Sequence, residues 1–391
     1  MKILIVSSLP FSYSGGVNTH LQHLLQALSA SGIDHQMINT NESKTLGKLR
    51  SVRSLSNFNA VGLFNVWAQS QKVRYMRRSI RERITGQDMD IIHAHDVYAA
   101  YAAWLEVQNR IPMLFTMHGP MSYEMLAVGE KKSSLRIRRL RSYERTVYGN
   151  AAACIAVDSG QKRILVEDYH VAEESVHTVY NAVDVDAVQS LAETRMTFPL
   201  SGHFFLVPRR LVPKNGVEFA IRALKLCRKK HNLVIAGSGP QLGYLTKLAV
   251  QCGVADQVHF LGDLVPQQLM PLMKNATGVM VPSVPVAGVV EATSLAVLEA
   301  MALQRPVIAS KIGGIWEILR SEENAFLTAP GDVEALASAM DAMLTLDKGE
   351  LEKRAQRNFE IVQKYHSLPV WQQTMLDIYS SLLESKRPGT S

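Results

Sequence analysis

Cysteine is scarce in this 391-residue chain: Cys154, Cys227 and Cys252 are odd in number and far apart. No disulfide or metal-ligand spacing links them, so a disulfide framework is excluded and a reducing compartment is expected. Long apolar runs are missing too. The opening stretch MKILIVSSLPFSYSGG turns polar and glycine-rich after a few apolar residues, too soon for a signal-peptide core or a membrane span. It reads as a first strand entering a loop. No repeat with a period of about 20 to 50 residues occurs, and no low-complexity tract. At 47% hydrophobic, the chain carries more apolar material than one core holds, so two domains are expected in a cytoplasmic, globular protein.

The net charge of +7 is unevenly placed: residues 41–150 hold 18 Lys or Arg against 9 Asp or Glu. The surplus concentrates in KVRYMRRSIRER (72–83) and KKSSLRIRRLRSYER (131–145). Both have helical character, and two solvated helix faces is the plain reading. The other is a surface for anionic lipid headgroups or a phosphate-bearing substrate, which would place the protein peripherally at the inner face of the membrane. Nucleic acid is not expected, because no aromatic-interleaved platform accompanies the charge.

Short β-branched runs (KILIVSS, DIIHAHD, PMLFTMHG, AACIAVD) alternate with longer amphipathic stretches, and a second series begins at HFFLVPRR and continues through HNLVIAGSG, QVHFLGD, GVMVPS and RPVIAS. This is an α/β pattern of parallel strands joined by crossover helices, so two doubly wound sheets are expected. The connection falls in residues 180–202, with domains over 1–200 and 201–370. The last stretch, 371–391, reads as a helix packing back on the first domain.

Ligands of such sheets gather outside the carboxyl ends of the strands, and chemistry-bearing residues follow the strands here. Gly15 and Gly16 precede a helix with Asn18 or Thr19 as its cap; they suit an anion at a helix start or a plain tight turn. His93, His95, Asp96 and His118 follow later strands, and His118, before Gly119 and Pro120, is placed to face a cleft. In the second domain RRLVPKNGVEFAI (209–221) offers arginine, lysine and a glycine turn to phosphate. The loop AGSGP (236–240) spaces its glycines wrongly for a dinucleotide fingerprint. Asp88 with Asp90 and Asp184 with Asp186 form DxD triplets, neither at a strand's carboxyl end, and no metal site is expected.

The stretch EATSLAVLEAMA (291–302) brackets small and apolar residues with Glu291 and Glu299. Were it wholly helical, the two backbones would stand about 12 Å apart along the axis, the span of a nucleotide sugar from ribose to hexose. Thr293 or Ser294 could cap a helix beginning between them and turn free N–H groups toward a diphosphate. The plainer alternative is a loop acid and a solvated helix residue. The cationic turn and glycine loop of the same domain favour the first.

Together SGGV, HAHD, MHGP, RRLVPKNGV, AGSGP and EATSLAVLEAMALQRPVIASKIGGIWEIL resemble glycosyltransferase family 4, the retaining nucleotide-sugar-dependent enzymes of GT-B fold, over nearly the whole chain. The resemblance implies two Rossmann-like domains facing a central cleft. It implies Glu299 on the ribose hydroxyls, Glu291 on the donor hexose, and backbone N–H groups of Thr293, Ser294 and Leu295 on the diphosphate. Gly16 would close over the diphosphate, with Gly15 beside it, and Gly237 belongs to the glycine loop of the same site. Arg210 and Lys214 would neutralise the leaving phosphate, His118 would contact the transferred sugar, and Asp263, Leu264 and Val265 would cradle the base. Two departures stand out. Asn215 precedes Gly216 where the family commonly has lysine, and Ala292-Thr293-Ser294 replaces Gly-Phe-Gly.

The expected reaction moves a hexose or N-acetylhexosamine, from a UDP-sugar by preference, to an acceptor hydroxyl in glycan, glycolipid or secondary-metabolite biosynthesis. It needs no cofactor beyond the donor and no essential metal. A nucleotide-sugar epimerase and a non-catalytic sugar- or membrane-binding protein are the alternatives; the acceptor is not legible.

Overall fold

The computed structural model describes residues 1–9, 16–40, 61–127, 129–194 and 202–384. The chain gathers into two compact units, Met1–Tyr180 with Gln372–Ser391, and Asn181–Trp371.

In the first unit, β1 (Lys2–Val6), β2 (Asp34–Ile38), β3 (Ile91–Ala94), β4 (Met113–Met117), β5 (Ala153–Ala156) and β6 (Val176–Thr178) form one parallel sheet. Its order is β2-β1-β3-β4-β5-β6. The register sets Ile3 opposite both His35 and Ile91. Ile3, Leu4, Ile5 and Val6 are all fully buried, as expected of a parallel strand covered on both faces. Leu4 and Val6 join Ile92, Ala94, Met76, Ile80, Leu140 and Val147 in one core.

The second unit repeats the plan with β7 (Phe204–Pro208), β8 (Asn232–Ala236), β9 (Val258–Gly262), β10 (Gly278–Val281), β11 (Val307–Ser310) and β12 (Phe326–Thr328). These run parallel in the order β12-β11-β10-β7-β8-β9. Successive side chains of a strand point to opposite faces, and here they supply two separate cores. Phe204, Leu206, Val234 and Val279 join one, while Phe205, Val207, Leu233, Ile235 and Met280 join the other. Both faces are therefore sealed, and polar chemistry is confined to strand ends and loops.

Aspartates fix several helix starts, accepting backbone N–H bonds at Asp96, Asp158, Asp184, Asp332 and Asp347. The expected domain boundary at 200/201 lies outside the described residues. The division itself comes earlier, between Tyr180 and Asn181. Residues assigned to the connection form the helix Val185–Ala192, and Val185, Val188 and Ala192, spaced on one helical face, enter the second unit's core. The last helix, Leu368–Glu384, passes from the second unit into the first at Gln372. Within the first unit Gln372 donates to Ser31 at 2.7 Å and the fully buried Tyr379 pairs with His93.

Candidate functional site

In the second sheet β7 leads to β8 on one side and lies against β10 on the other. This is the switch point where ligands of open α/β sheets bind. The residue directly after β7 is Arg209, and its guanidinium gathers the polar groups that follow both strands. One terminal nitrogen, Nη2, reaches Glu291 Oε1 and Asn215 Oδ1 at 2.7 Å each and Ser283 Oγ at 3.2 Å. Nη1 donates to Ser294 Oγ at 3.2 Å. The side chains of Arg209 and Glu291 are only 9% and 14% exposed, so a carboxylate facing a guanidinium is what makes either charge tolerable there. Of the two arginines in the doublet, Arg209 enters this cluster and Arg210 is exposed. Lys214 is half-buried in the single turn Pro213–Asn215.

The glutamate segment is not one helix. The helix begins at Leu295 and ends at Ala302, with Ser294 in extended conformation as its N-cap residue. Glu291 lies on the preceding loop, and the 12 Å helical spacing therefore does not apply. Ser294's hydroxyl accepts from Arg209 and makes no cap bond of its own, which leaves the first N–H groups of the helix unbonded by it. Ala292, Thr293 and Ser294 have no positive φ, so the loop does not require the missing glycines. The pair Gly313-Gly314 serves that loop instead. A Cβ on Gly313 would sit 2.4 Å from the carbonyl of Glu291, and one on Gly314 2.6 Å from the nitrogen of Thr293. Glu299, one turn into the helix, is half-buried. Burial alone raises its carboxyl to about 7.

Gly237, at φ 147°, lies against the carbonyl of Arg209, where a Cβ would stand 2.2 Å away. The glycine loop thus packs on the arginine loop, and Leu211 N–H donates to the Ser238 carbonyl at 2.9 Å. Asp263 holds the same loop, accepting from Ser238 N–H at 2.8 Å. Asp263 and Val265 are exposed and Leu264 is half-buried, just ahead of the helix Pro266–Asn275.

In the first unit, Gly15 lies outside the described residues and Gly16 begins the helix Gly16–Ala30, ahead of the expected caps Asn18 and Thr19. Asp96 accepts from Tyr98 N–H at 3.0 Å and Ser8 Oγ at 2.7 Å, tying the ends of β1 and β3 to a helix start. His93 lies between Tyr379 OH at 2.6 Å and Thr116 Oγ1 at 2.7 Å, a structural bridge. His118 is half-buried beside His95, with 3.5 Å between ring nitrogens. Burial, with repulsion from neighbouring histidines, holds His93, His95 and His118 well below the usual imidazole range. They are neutral at pH 7 and can offer a hydroxyl a hydrogen bond without a charge.

Two groups among the described residues could present three ligand atoms to one ion: His20 with His95 and His118, and Cys227 with His231 and Asp341. In the second, Asp341 is engaged by Arg228 N–H at 2.9 Å and His231 at 3.1 Å, and burial pushes the Cys227 thiol up to about 12. One aspartate of each DxD triplet has a structural partner. Asp90 accepts from Lys2 N–H at 2.7 Å, and Asp184 caps its helix.

The two basic stretches lie side by side. A hollow of about 490 Å³ is lined by Arg74, Arg77, Arg78 and Arg81 of one and Arg139 of the other. Glu106 pairs with Arg77 and Arg81 at 2.6 and 2.9 Å. No helix among the described residues is long and apolar enough to cross a membrane.

Residues 14–187 match the family described as Glycosyltransferase Family 4, and residues 195–360 match Glycosyl transferases group 1. An uncharacterized glycosyltransferase of Methanocaldococcus jannaschii is 29% identical over 371 residues, 88% of this chain and 89% of its own. The structure of sucrose-phosphate synthase from Thermosynechococcus elongatus superimposes with a TM-score of 0.78 at 19% identity, covering 98% of this chain and 100% of that one. Anabaena HepE in complex with UDP and glucose does so at 0.72 and 20% identity, covering 97% and 100%. With each sheet unit matched by a family of one enzyme class, the chain belongs to the glycosyltransferases of the family 4 type and has their GT-B fold.

Proposed function

We propose that the enzyme transfers a hexose or N-acetylhexosamine from a nucleoside-diphosphate sugar, UDP-sugar by preference, to an acceptor hydroxyl with retention of configuration. The carrying observation is the second unit's polar cluster: a buried arginine–glutamate pair at a helix start, with an uncompensated glutamate one turn further on. Helix-start N–H groups and cations suit a diphosphate. Carboxylates suit hydroxyls, Glu299 those of the ribose and Glu291 those of the sugar. Thr293, Ser294 and Leu295 offer backbone N–H groups, Arg210 and Lys214 add positive charge, and Gly237 lets the glycine loop close on the arginine loop. Asp263, Leu264 and Val265 border the base. The bound UDP and glucose of Anabaena HepE support the donor class.

In this reading the bond from the anomeric carbon to the diphosphate oxygen breaks, and the acceptor oxygen bonds to that carbon on the same face. The departing phosphate oxygen takes the acceptor proton. The protein then chiefly positions the reactants and stabilises charge, with no nucleophile and no essential metal. The family resemblance also assigns Gly16 to the diphosphate and the neutral His118 to the transferred sugar. Incubation with a panel of nucleotide sugars, read as free nucleoside diphosphate, tests the assignment. Slow acceptor-independent release from one donor is expected. Turnover of the sugar without release would favour an epimerase, and no turnover or binding of any donor would favour a non-catalytic role.

The acceptor side is read from the arginine-lined hollow of the first unit, which suits an anionic, membrane-proximal acceptor. Sedimentation with phosphatidylglycerol vesicles is expected at low salt and is lost at high salt; no binding at low salt refutes it.

A further inference from the structure

Asparagine at position 215, in the turn directly before Gly216, carries no charge of its own. Asn215 is buried and both ends of its amide are engaged, Oδ1 accepting from Arg209 and Nδ2 donating to the Arg210 carbonyl, each at 2.7 Å. It works as a bracket for Arg209. That guanidinium is also held by Ser283 and by Ser294, the residue that opens the helix Leu295–Ala302. A cation is thereby fixed at the helix mouth. Its Nε–H is buried and has no hydrogen-bond partner, a donor left over for a ligand, since buried polar groups are rarely unmatched.

We infer that Arg209 supplies the fixed cation for the donor's diphosphate, and that Glu291 is its counter-ion only until the donor arrives. This rests on the donor reading above. Without donor, the buried guanidinium needs an anion, and Glu291 Oε1 at 2.7 Å provides it. A diphosphate brings more negative charge and several oxygens to a planar fork of donors. It takes over the guanidinium, and Glu291 is released to accept the sugar hydroxyls. One ion pair thus keeps the empty site neutral and links diphosphate binding to readiness of the sugar-binding carboxylate. Lys214 adds charge from its turn and comes second to Arg209.

Two consequences separate this arrangement from a purely structural ion pair. The gain in affinity from the phosphates, measured as diphosphate over nucleoside, depends on Arg209. Glu291 competes with a diphosphate that carries no sugar. Calorimetry with UDP, GDP and ADP and their nucleosides, on wild type, R209Q, K214Q, E291Q and the charge-balanced R209Q/E291Q, tests both. The ratio is expected to fall at least about tenfold in R209Q and in the double variant, and less in K214Q. E291Q is expected to bind the free diphosphate several-fold more tightly than wild type. The double variant, checked by thermal melting, guards against loss of fold through an uncompensated Glu291. A wild-type ratio in the double variant, a larger loss in K214Q than in R209Q, or weaker diphosphate binding by E291Q would each overturn the inference. Wild type binding none of the three diphosphates would instead sink the donor reading.

Discussion

Glu299 shows how one residue's environment sets a measurable property. Burial lifts its carboxyl to about 7, so at neutral pH it is only partly ionised in the empty site. Ribose hydroxyls donate to a carboxylate and favour the charged form. Nucleotide binding should therefore release protons and strengthen as pH rises through 7. Below that pH, affinity should fall by up to about tenfold per unit, the limit for one linked proton. In Glu299→Gln this dependence should vanish and affinity should be low throughout. Calorimetry from pH 5.5 to 8.5 in buffers of different ionisation enthalpy measures both; an unchanged pH profile in the variant would remove Glu299 from the nucleotide. The arginine doublet is the residue-scale lesson in legibility. Two adjacent arginines after a strand are chemically equal in the sequence. The turn that follows β7 sends one into the polar cluster and leaves the other exposed.

At the scale of elements, the loop holding Glu291 and the helix holding Glu299 are positioned by a neighbour. Gly313 and Gly314 begin the helix Gly313–Leu319, and they leave room for the backbone of residues 291–293. Gly314→Ala should push that loop away, costing on the order of 1–3 kcal/mol from overpacking and a much larger fraction of nucleotide affinity. Gly243→Ala, in the helix Leu242–Cys252, is the control: nothing lies within 4 Å of its new Cβ, and an added helix former should stabilise by up to about 1 kcal/mol. Denaturant midpoints and nucleotide titrations on both variants check this pair. If Gly314→Ala binds nucleotide normally, the packing argument fails. The helix start between the two glutamates was legible from Thr293 and Ser294, whereas the extent of the helix was not. Alanine, leucine and valine allow helix on both sides of Ser294, and only the packing of 291–293 on the glycine pair keeps the first four residues out of it.

The whole molecule is a chain that crosses between two units twice. Its last helix returns to the first unit, where Tyr379 is fully buried and its hydroxyl is 2.6 Å from His93, 286 positions away. Ending the chain at Trp371 should therefore destabilise the first unit by several kcal/mol, since a buried tyrosine alone contributes about 3–5 kcal/mol against alanine. The second unit should keep its nucleotide affinity. Chemical denaturation followed by limited proteolysis identifies which unit opens; equal loss in both would contradict the division.

The alternation of β-branched runs with amphipathic stretches determined the fold class by itself, because a parallel strand sealed on both faces must be apolar almost throughout. The acids, glycines and cations that follow strands likewise marked the loops that the second unit packs together around Arg209. Only the tertiary structure decided which cation meets Glu291, where the helix after it begins, and which unit owns residues 181–194. Those outcomes depend on which faces and backbones meet across long separations, such as Arg209 with Ser294 or Thr293 with Gly314. Local sequence carries each group's chemistry but not the identity of the partner that packing brings to it.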